Sequence, residues 1–155
     1  MDDRDLEKVI KTYNRQGWYP APWAHHPEPI KAALRHFRMR PMIKECFRNC
    51  QAFVFRNMWS GLGLDVTYCE GWVVSSIPLE HAWLEYRGEP IDLTLRPGIT
   101  REILQQRKYG AKDVACGIHR GWFGPLDPEW MASASPFAGA ARVVEMINRA
   151  IGGSQ

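Results

Sequence analysis

The chain has 155 residues, of which 45% are hydrophobic and 24% are charged. This length predicts a single domain over residues 1–155, and this composition excludes a chain that is disordered throughout. The net charge of +3 is too small to favour a nucleic acid as partner.

The start of the sequence does not have the pattern of a secretory signal. Residues 1–5 are mostly acidic and lead into a few apolar residues, whereas a signal peptide begins with basic residues and continues into an apolar core. No apolar run approaches the ~18 residues of a membrane span. We therefore expect a cytoplasmic protein with no membrane partner, unless a dedicated secretion system exports it. The four cysteines are irregularly spaced, and we expect them to be reduced.

The first part of the chain is predicted to be mainly helical. Apolar spacing predicts a helix over residues 5–13, and the prolines of residues 18–29 exclude a regular element there. Pro29 suits the first turn of a second helix. The strongest helical pattern runs over residues 43–59, and Gly61 ends it.

The middle of the chain changes to a strand pattern. Residues 65–74, 80–86 and 90–95 are predicted strands, and the last two are joined by a short hairpin connection at Arg87 and Gly88.

Helices are predicted again near the end of the chain. A helix is expected over residues 100–109, followed by an irregular segment over residues 111–126. Asp127 and Ser135 each precede a proline and are predicted N-caps, the second for a helix that ends at Gly152. Helices, then an antiparallel sheet, then helices indicate an α+β domain.

Cys46 is the first candidate for chemistry, because it lies near the start of the central helix. A helix N-terminus stabilises a thiolate. Pro41 leaves open whether the helix begins early enough to place Cys46 in the second turn, and a free cysteine is also a common core residue. Cys50 and Cys69 are interpreted as core cysteines.

His81 and Asp92 are predicted to lie together. A two-residue turn at Arg87 and Gly88 sets a register in which both side chains lie on one face of the sheet, one diagonal step apart. That step is roughly 7–8 Å between backbones, within reach of an imidazole and a carboxylate. A buried aspartate needs a partner, for which His81, Arg96 and a backbone N–H are the candidates.

A thiol, an imidazole and a carboxylate together supply a nucleophile, a general base and a group that orients the base. Cys46, His81 and Asp92 are therefore the candidate catalytic residues. This chemistry needs no cofactor and no metal.

Four segments carry a resemblance to a known family. They are ECFRNC at residues 45–50, YCEGWVV at 68–74, EHAWLE at 80–85 and IDLT at 91–94. Over residues 45–95 the chain resembles the transglutaminase-like core of the papain-like superfamily. The resemblance implies a fold in which a central helix carrying the cysteine packs on a small antiparallel sheet with flanking helices. It also implies Cys46 as nucleophile, His81 as base and Asp92 as orienting acid.

The function implied is that of a cysteine-dependent hydrolase, a peptidase, amidase or deamidase acting through a thioester. Its substrate would be a protein, a peptide or a small amide. The alternatives are an acyl transferase or transglutaminase of the same fold, and a catalytically silent binding domain. We expect hydrolysis rather than cross-linking, because so small a domain has little chain left for two substrate channels that exclude water.

The sequence departs from the family pattern in three ways. The interval between His81 and Asp92 is short, and Leu93 stands where the family usually has proline. The sequence has no glutamine shortly before Cys46 that could serve as an oxyanion donor. The resemblance offers Trp18 and Trp23 as candidates for that role.

The sequence contains two further patterns. The cysteines and His119 include good zinc donors, but their spacing matches no common zinc framework, so no metal site is expected. A basic stretch over residues 35–48 is interpreted as a solvated face, with an acidic partner or substrate as the alternative.

Overall fold

A computed structural model of the chain describes residues 19–21, 26–74, 77–94, 101–119, 124–137 and 152. Within these residues the chain is α+β, as predicted, with four helices and one five-stranded sheet. The helices are α1 (Glu28–His36), α2 (Cys46–Ser60), α3 (Ala111–His119) and α4 (Pro128–Ser133). The strands are β1 (Tyr19–Ala21), β2 (Val66–Val74), β3 (Pro78–Tyr86), β4 (Glu89–Ile91) and β5 (Arg101–Tyr109). The predicted helix over residues 5–13 and nearly all of the last predicted helix lie outside the described residues.

The sheet is antiparallel and has the strand order β1-β5-β2-β3-β4. Its longest pairing joins β2 to β3, from Val66 opposite Tyr86 to Val74 opposite Pro78. Helices α1 and α2 pack on the sheet through a core that includes Ile30, Phe53, Val54, Tyr68 and Leu84. None of the helices in the described part of the chain is both long and apolar enough to cross a membrane.

Helix α2 begins three residues later than the sequence predicts. Lys44 has a left-handed backbone with φ of 67° and Glu45 is also non-helical, so the helix cannot extend back to Ile43. Ile43 instead lies in a turn and is 82% exposed. The predicted end is confirmed, because Gly61 caps the helix with φ of 74°. This later start places Cys46 in the first turn.

The hairpin between β3 and β4 has the predicted two-residue turn. Arg87 and Gly88 both have positive φ, at 51° and 80°, as a tight turn between right-twisted antiparallel strands requires. The turn sets the predicted register, in which Leu84 lies opposite Ile91. Strand β4 is shorter than expected and ends at Ile91, so Asp92 is the first residue after the strand.

Two predictions were wrong: the helix over residues 100–109, and the irregular structure at residues 111–119 within the segment 111–126. Residues 101–109 form strand β5, which lies between β1 and β2, although their composition favours a helix. Backbone pairing with both neighbours outweighs that local preference. Residues 111–119 form helix α3, whose Val114 is fully buried in the core. Gly117 fits this helix against Leu126, because a Cβ at that position would lie 2.6 Å from the leucine side chain.

The exclusion of a regular element over residues 18–29 was also wrong, because this proline-rich segment contains the short strand β1. Pro20 lies in β1, opposite Glu102 of β5. Strand β1 is at the edge of the sheet, where a residue without an N–H is tolerated.

Two predicted features of helix termini are confirmed. Pro29 lies in the first turn of α1. Asp127 caps α4, where its carboxylate accepts the backbone N–H of Trp130 at 3.0 Å. Helix α4 is tied to the sheet by the indole N–H of Trp72, which donates to the Met131 carbonyl at 2.8 Å.

Candidate active site

Cys46 occupies the first position of helix α2 and is 8% exposed. The side chain of the preceding residue, Glu45, makes no capping hydrogen bond to the helix. The backbone N–H groups of the first helical turn have no acceptor within the helix. The thiol therefore lies where partial positive charge favours an anion.

His81 and Asp92 form a buried pair at the other side of the site. The Nε2 atom of His81 lies 2.7 Å from Oδ2 of Asp92, and their side chains are 3% and 5% exposed. The other carboxylate oxygen, Oδ1, accepts the backbone N–H of Thr94 at 2.9 Å. Both oxygens of Asp92 are thus used, and the carboxylate is held at a defined angle to the imidazole.

The Cys46 thiol lies near enough to His81 to raise the pKa of the imidazole. Because Nε2 is bound to Asp92, Nδ1 is the ring nitrogen available to the thiol. Burial lowers the pKa of His81, but the interactions of the imidazole with Asp92 and Cys46 outweigh burial and raise that pKa to about 9. The site therefore favours a protonated imidazole at neutral pH.

The other three cysteines have different surroundings. Cys50 is fully buried, and burial together with the Asp92 charge holds the pKa of its thiol well above the ordinary value. Cys69 is also fully buried, and burial, with the Glu85 charge, raises its pKa to about 12. These two have the burial expected of core cysteines. Cys116 is exposed on α3, and all four cysteines are free thiols.

Two contacts in the segment that carries Asp92 and Thr94 were not predicted from the sequence. The Nε2 atom of His26 lies 2.7 Å from the backbone carbonyl oxygen of Asp92. Asn49, one turn along α2 from Cys46, donates to the hydroxyl of Thr94 at 2.9 Å. No local pattern signals either contact, because they join segments 66 and 45 residues apart.

No metal site is found among the described residues, where no three histidine, cysteine or acidic side chains are grouped to hold an ion. Trp18 and Trp23, the candidate oxyanion donors, lie outside the described residues.

The basic stretch is exposed but is not one helix face. Its cationic residues are spread over the end of α1, the connecting loop and the start of α2: Arg35, His36, Arg38, Arg40, Lys44 and Arg48. Arg35 pairs with Glu28 at 2.6 Å on the surface of α1.

No protein-family model, curated protein or solved structure matches this chain.

Proposed function

We propose that this protein is a cysteine-dependent amide hydrolase in which Cys46 is the nucleophile, His81 the general base and acid, and Asp92 the group that orients His81. The observation that carries the proposal is the His81 ring, which binds Asp92 at 2.7 Å through Nε2 and lies near enough to the Cys46 thiol for that thiol to raise its pKa. A thiol at a helix start, an imidazole and a buried carboxylate are the nucleophile, base and orienting group that nucleophilic catalysis requires.

We propose a transglutaminase-like variant of the papain-like fold. Three features support this assignment. The cysteine opens a helix that packs on an antiparallel sheet, the histidine lies on the sheet, and the aspartate follows the next strand in the chain.

The first half-reaction forms a thioester. His81 holds the proton of the Cys46 thiol, and Sγ attacks the carbonyl carbon of the amide. A C–S bond forms while the carbonyl π electrons move to the oxygen. The C–N bond then breaks, the nitrogen takes the proton from His81, and the amine leaves.

The second half-reaction releases the acid. Water attacks the thioester carbon and gives a proton to His81. The C–S bond breaks, its electron pair returns to sulfur as a thiolate, and the carboxylic acid leaves. In both steps the backbone N–H of Cys46 is available to stabilise the negative oxygen, because it lies at the helix start without an intrahelical acceptor.

Two measurements test this function. The first is site-resolved alkylation by iodoacetamide at pH 7, read by mass spectrometry. We expect Cys46 to react faster than Cys116 although Cys116 is the more exposed thiol. The second is formation of an acyl-enzyme from p-nitrophenyl acetate, with the acetyl group located on Cys46 and absent in Cys46→Ala.

Substrate class and acceptor are then tested with acyl donors, among them peptides and small primary amides, with and without a primary amine. Release of the free acid at millimolar amine supports hydrolysis, whereas a dominant amine adduct identifies a transferase. Cys116→Ala is the matched control and keeps full activity. Slower labelling of Cys46 than of Cys116, with no acyl-enzyme from any donor, would contradict an enzymatic function and leave the binding domain.

A further inference from the structure

Asn49 is a buried polar residue on α2, 4% exposed and three positions after Cys46. Its side-chain amide donates to the backbone carbonyl of Met42 at 2.8 Å, and its carbonyl oxygen accepts the Met42 backbone N–H at 3.1 Å. Asn49 therefore holds the loop that enters α2 directly against the helix that carries the nucleophile.

The second hydrogen of the same amide group is donated to Oγ1 of Thr94 at 2.9 Å. The backbone N–H of Thr94 in turn donates to Oδ1 of Asp92, whose Oδ2 binds His81. A continuous series of hydrogen bonds thus leads from the start of α2, through Asn49 and Thr94, to the carboxylate that orients the imidazole.

This series matters because α2 and the turn at Asp92 are separate elements. Asp92 is the first residue after strand β4, and its backbone carbonyl oxygen lies 2.7 Å from Nε2 of His26. Asn49 joins α2 to this turn through a side-chain hydrogen bond to Thr94, two residues after Asp92.

We propose that Asn49 is a positioning residue of the active site, which sets the separation between the Cys46 helix and the Asp92 turn through its hydrogen bond to Thr94. This inference rests on the proposed function, since it assigns Asn49 to that reaction. Asn49 touches none of the reacting groups and acts through Thr94 and Asp92.

The same helix contains a matched control. Asn57 makes the same two backbone hydrogen bonds at the other end of α2, donating to the Leu64 carbonyl at 2.9 Å and accepting the Leu64 N–H at 3.1 Å. It is similarly buried, at 9% exposed, and follows Cys46 by eleven positions. The Asn57→Ala variant therefore measures how the loss of two such hydrogen bonds changes the stability of the fold, at a position far from the site.

The test compares Asn49→Ala, Thr94→Val, Thr94→Ser and Asn57→Ala. Thr94→Val removes the acceptor for Asn49 but keeps the backbone N–H that binds Asp92; Thr94→Ser keeps both. The readouts are the NMR titration of the His81 ring, the rate of Cys46 alkylation at pH 7 and the melting temperature.

In Asn49→Ala and Thr94→Val we expect the His81 titration to move down toward ~6.5 and Cys46 alkylation to slow about tenfold. Thr94→Ser should match the wild type. Asn57→Ala should lower the melting temperature while both site readouts stay within about twofold of the wild type.

The proposal is overturned if Thr94→Val leaves the His81 titration and the alkylation rate unchanged, or if Asn57→Ala alters them as much as Asn49→Ala does. Thr94→Val keeps the test decisive if Asn49→Ala does not fold. Failure of the proposed function is seen separately. In that case wild-type protein forms no acyl-enzyme, whereas the His81 titration still responds to Asn49 and Thr94.

Discussion

The imidazole of His81 and the carboxylate of Asp92 are joined at 2.7 Å across the end of a tight hairpin, with both side chains almost fully buried. They are only eleven positions apart in the sequence, so the turn at Arg87 and Gly88 brings the two groups together with little intervening chain. The pair is therefore built into one local unit, to which α2 adds the thiol.

Asp92→Asn should slow the reaction of Cys46 while the side chains of the site keep their positions. The amide cannot stabilise a protonated His81, and it can present its N–H₂ to the ring in place of an acceptor oxygen. We expect the His81 pKa to fall and Cys46 acylation to slow by about 10²–10⁴-fold, the range typical of lost general acid–base function. Stopped-flow release of p-nitrophenol measures the rate. An acylation rate equal to that of the wild type would contradict the role of Asp92.

The stability of the protein should depend on the protonation of His81. Its pKa is raised to about 9 in the folded protein, from an ordinary value near 6.5. The stabilisation is therefore fully present below pH ~6.5 and is lost as the pH rises through about 9, and it amounts to about 3 kcal/mol at most. Urea unfolding from pH 6 to pH 10 should show this decrease.

The control for that measurement is an exposed histidine. His81→Gln should flatten the decrease, while His36→Gln, at the exposed end of α1, should retain it. Equal pH profiles for the wild type and His81→Gln would show that His81 does not carry the effect.

Glu70 is expected to stabilise the fold and to have no part in the reaction of Cys46. Its carboxylate accepts the backbone N–H of Leu126 through both oxygens, at 2.9 and 3.1 Å, and the hydroxyl of Tyr68 at 2.7 Å. Burial raises the pKa of Glu70, and these donors oppose that shift. Glu70→Gln places an N–H₂ group among donors and should lower the free energy of unfolding by about 1–3 kcal/mol.

Urea unfolding with Glu85→Gln provides the comparison for Glu70→Gln. Glu85 pairs with Lys108 at 2.9 Å nearer the surface, and its substitution should cost about 1 kcal/mol or less. Cys46 alkylation should remain unchanged in both variants. A greater loss of stability in Glu85→Gln than in Glu70→Gln would contradict this prediction.

Gly71 should not tolerate a side chain. It lies opposite His81 in the β2–β3 register, and a Cβ there would lie 1.9 Å from the backbone oxygen of Gln105. Gly71→Ala should therefore separate β2 from β5 and lower the free energy of unfolding by about 3 kcal/mol or more. Gly88→Ala meets no neighbouring atom and carries only the strain of its φ of 80°, about 1 kcal/mol. Thermal unfolding measures which of the two variants loses more stability. A larger loss in Gly88→Ala than in Gly71→Ala would contradict the close approach of β5 to Gly71.

Local chemistry was sufficient to predict one part of the site and several parts of the fold. Two adjacent residues at a hairpin turn set the register that places His81 and Asp92 on one face, because side chains alternate with a period of two. Gly61 ended α2 and Asp127 began α4 through hydrogen bonds and backbone angles that belong to the residues themselves. Such features depend on a few neighbouring residues, so the sequence alone specifies them.

Other parts were decided only by tertiary contacts. Residues 101–109 have a helix-favouring composition, yet they form a strand because β1 and β2 both pair with it. Residues 111–119 form a helix whose Val114 is buried in a core assembled from distant segments. The link between Asn49 and Thr94 spans 45 residues and leaves no periodic signal. Each of these depends on partners far away in the chain, and their free energy is gained only when the whole fold brings those partners together.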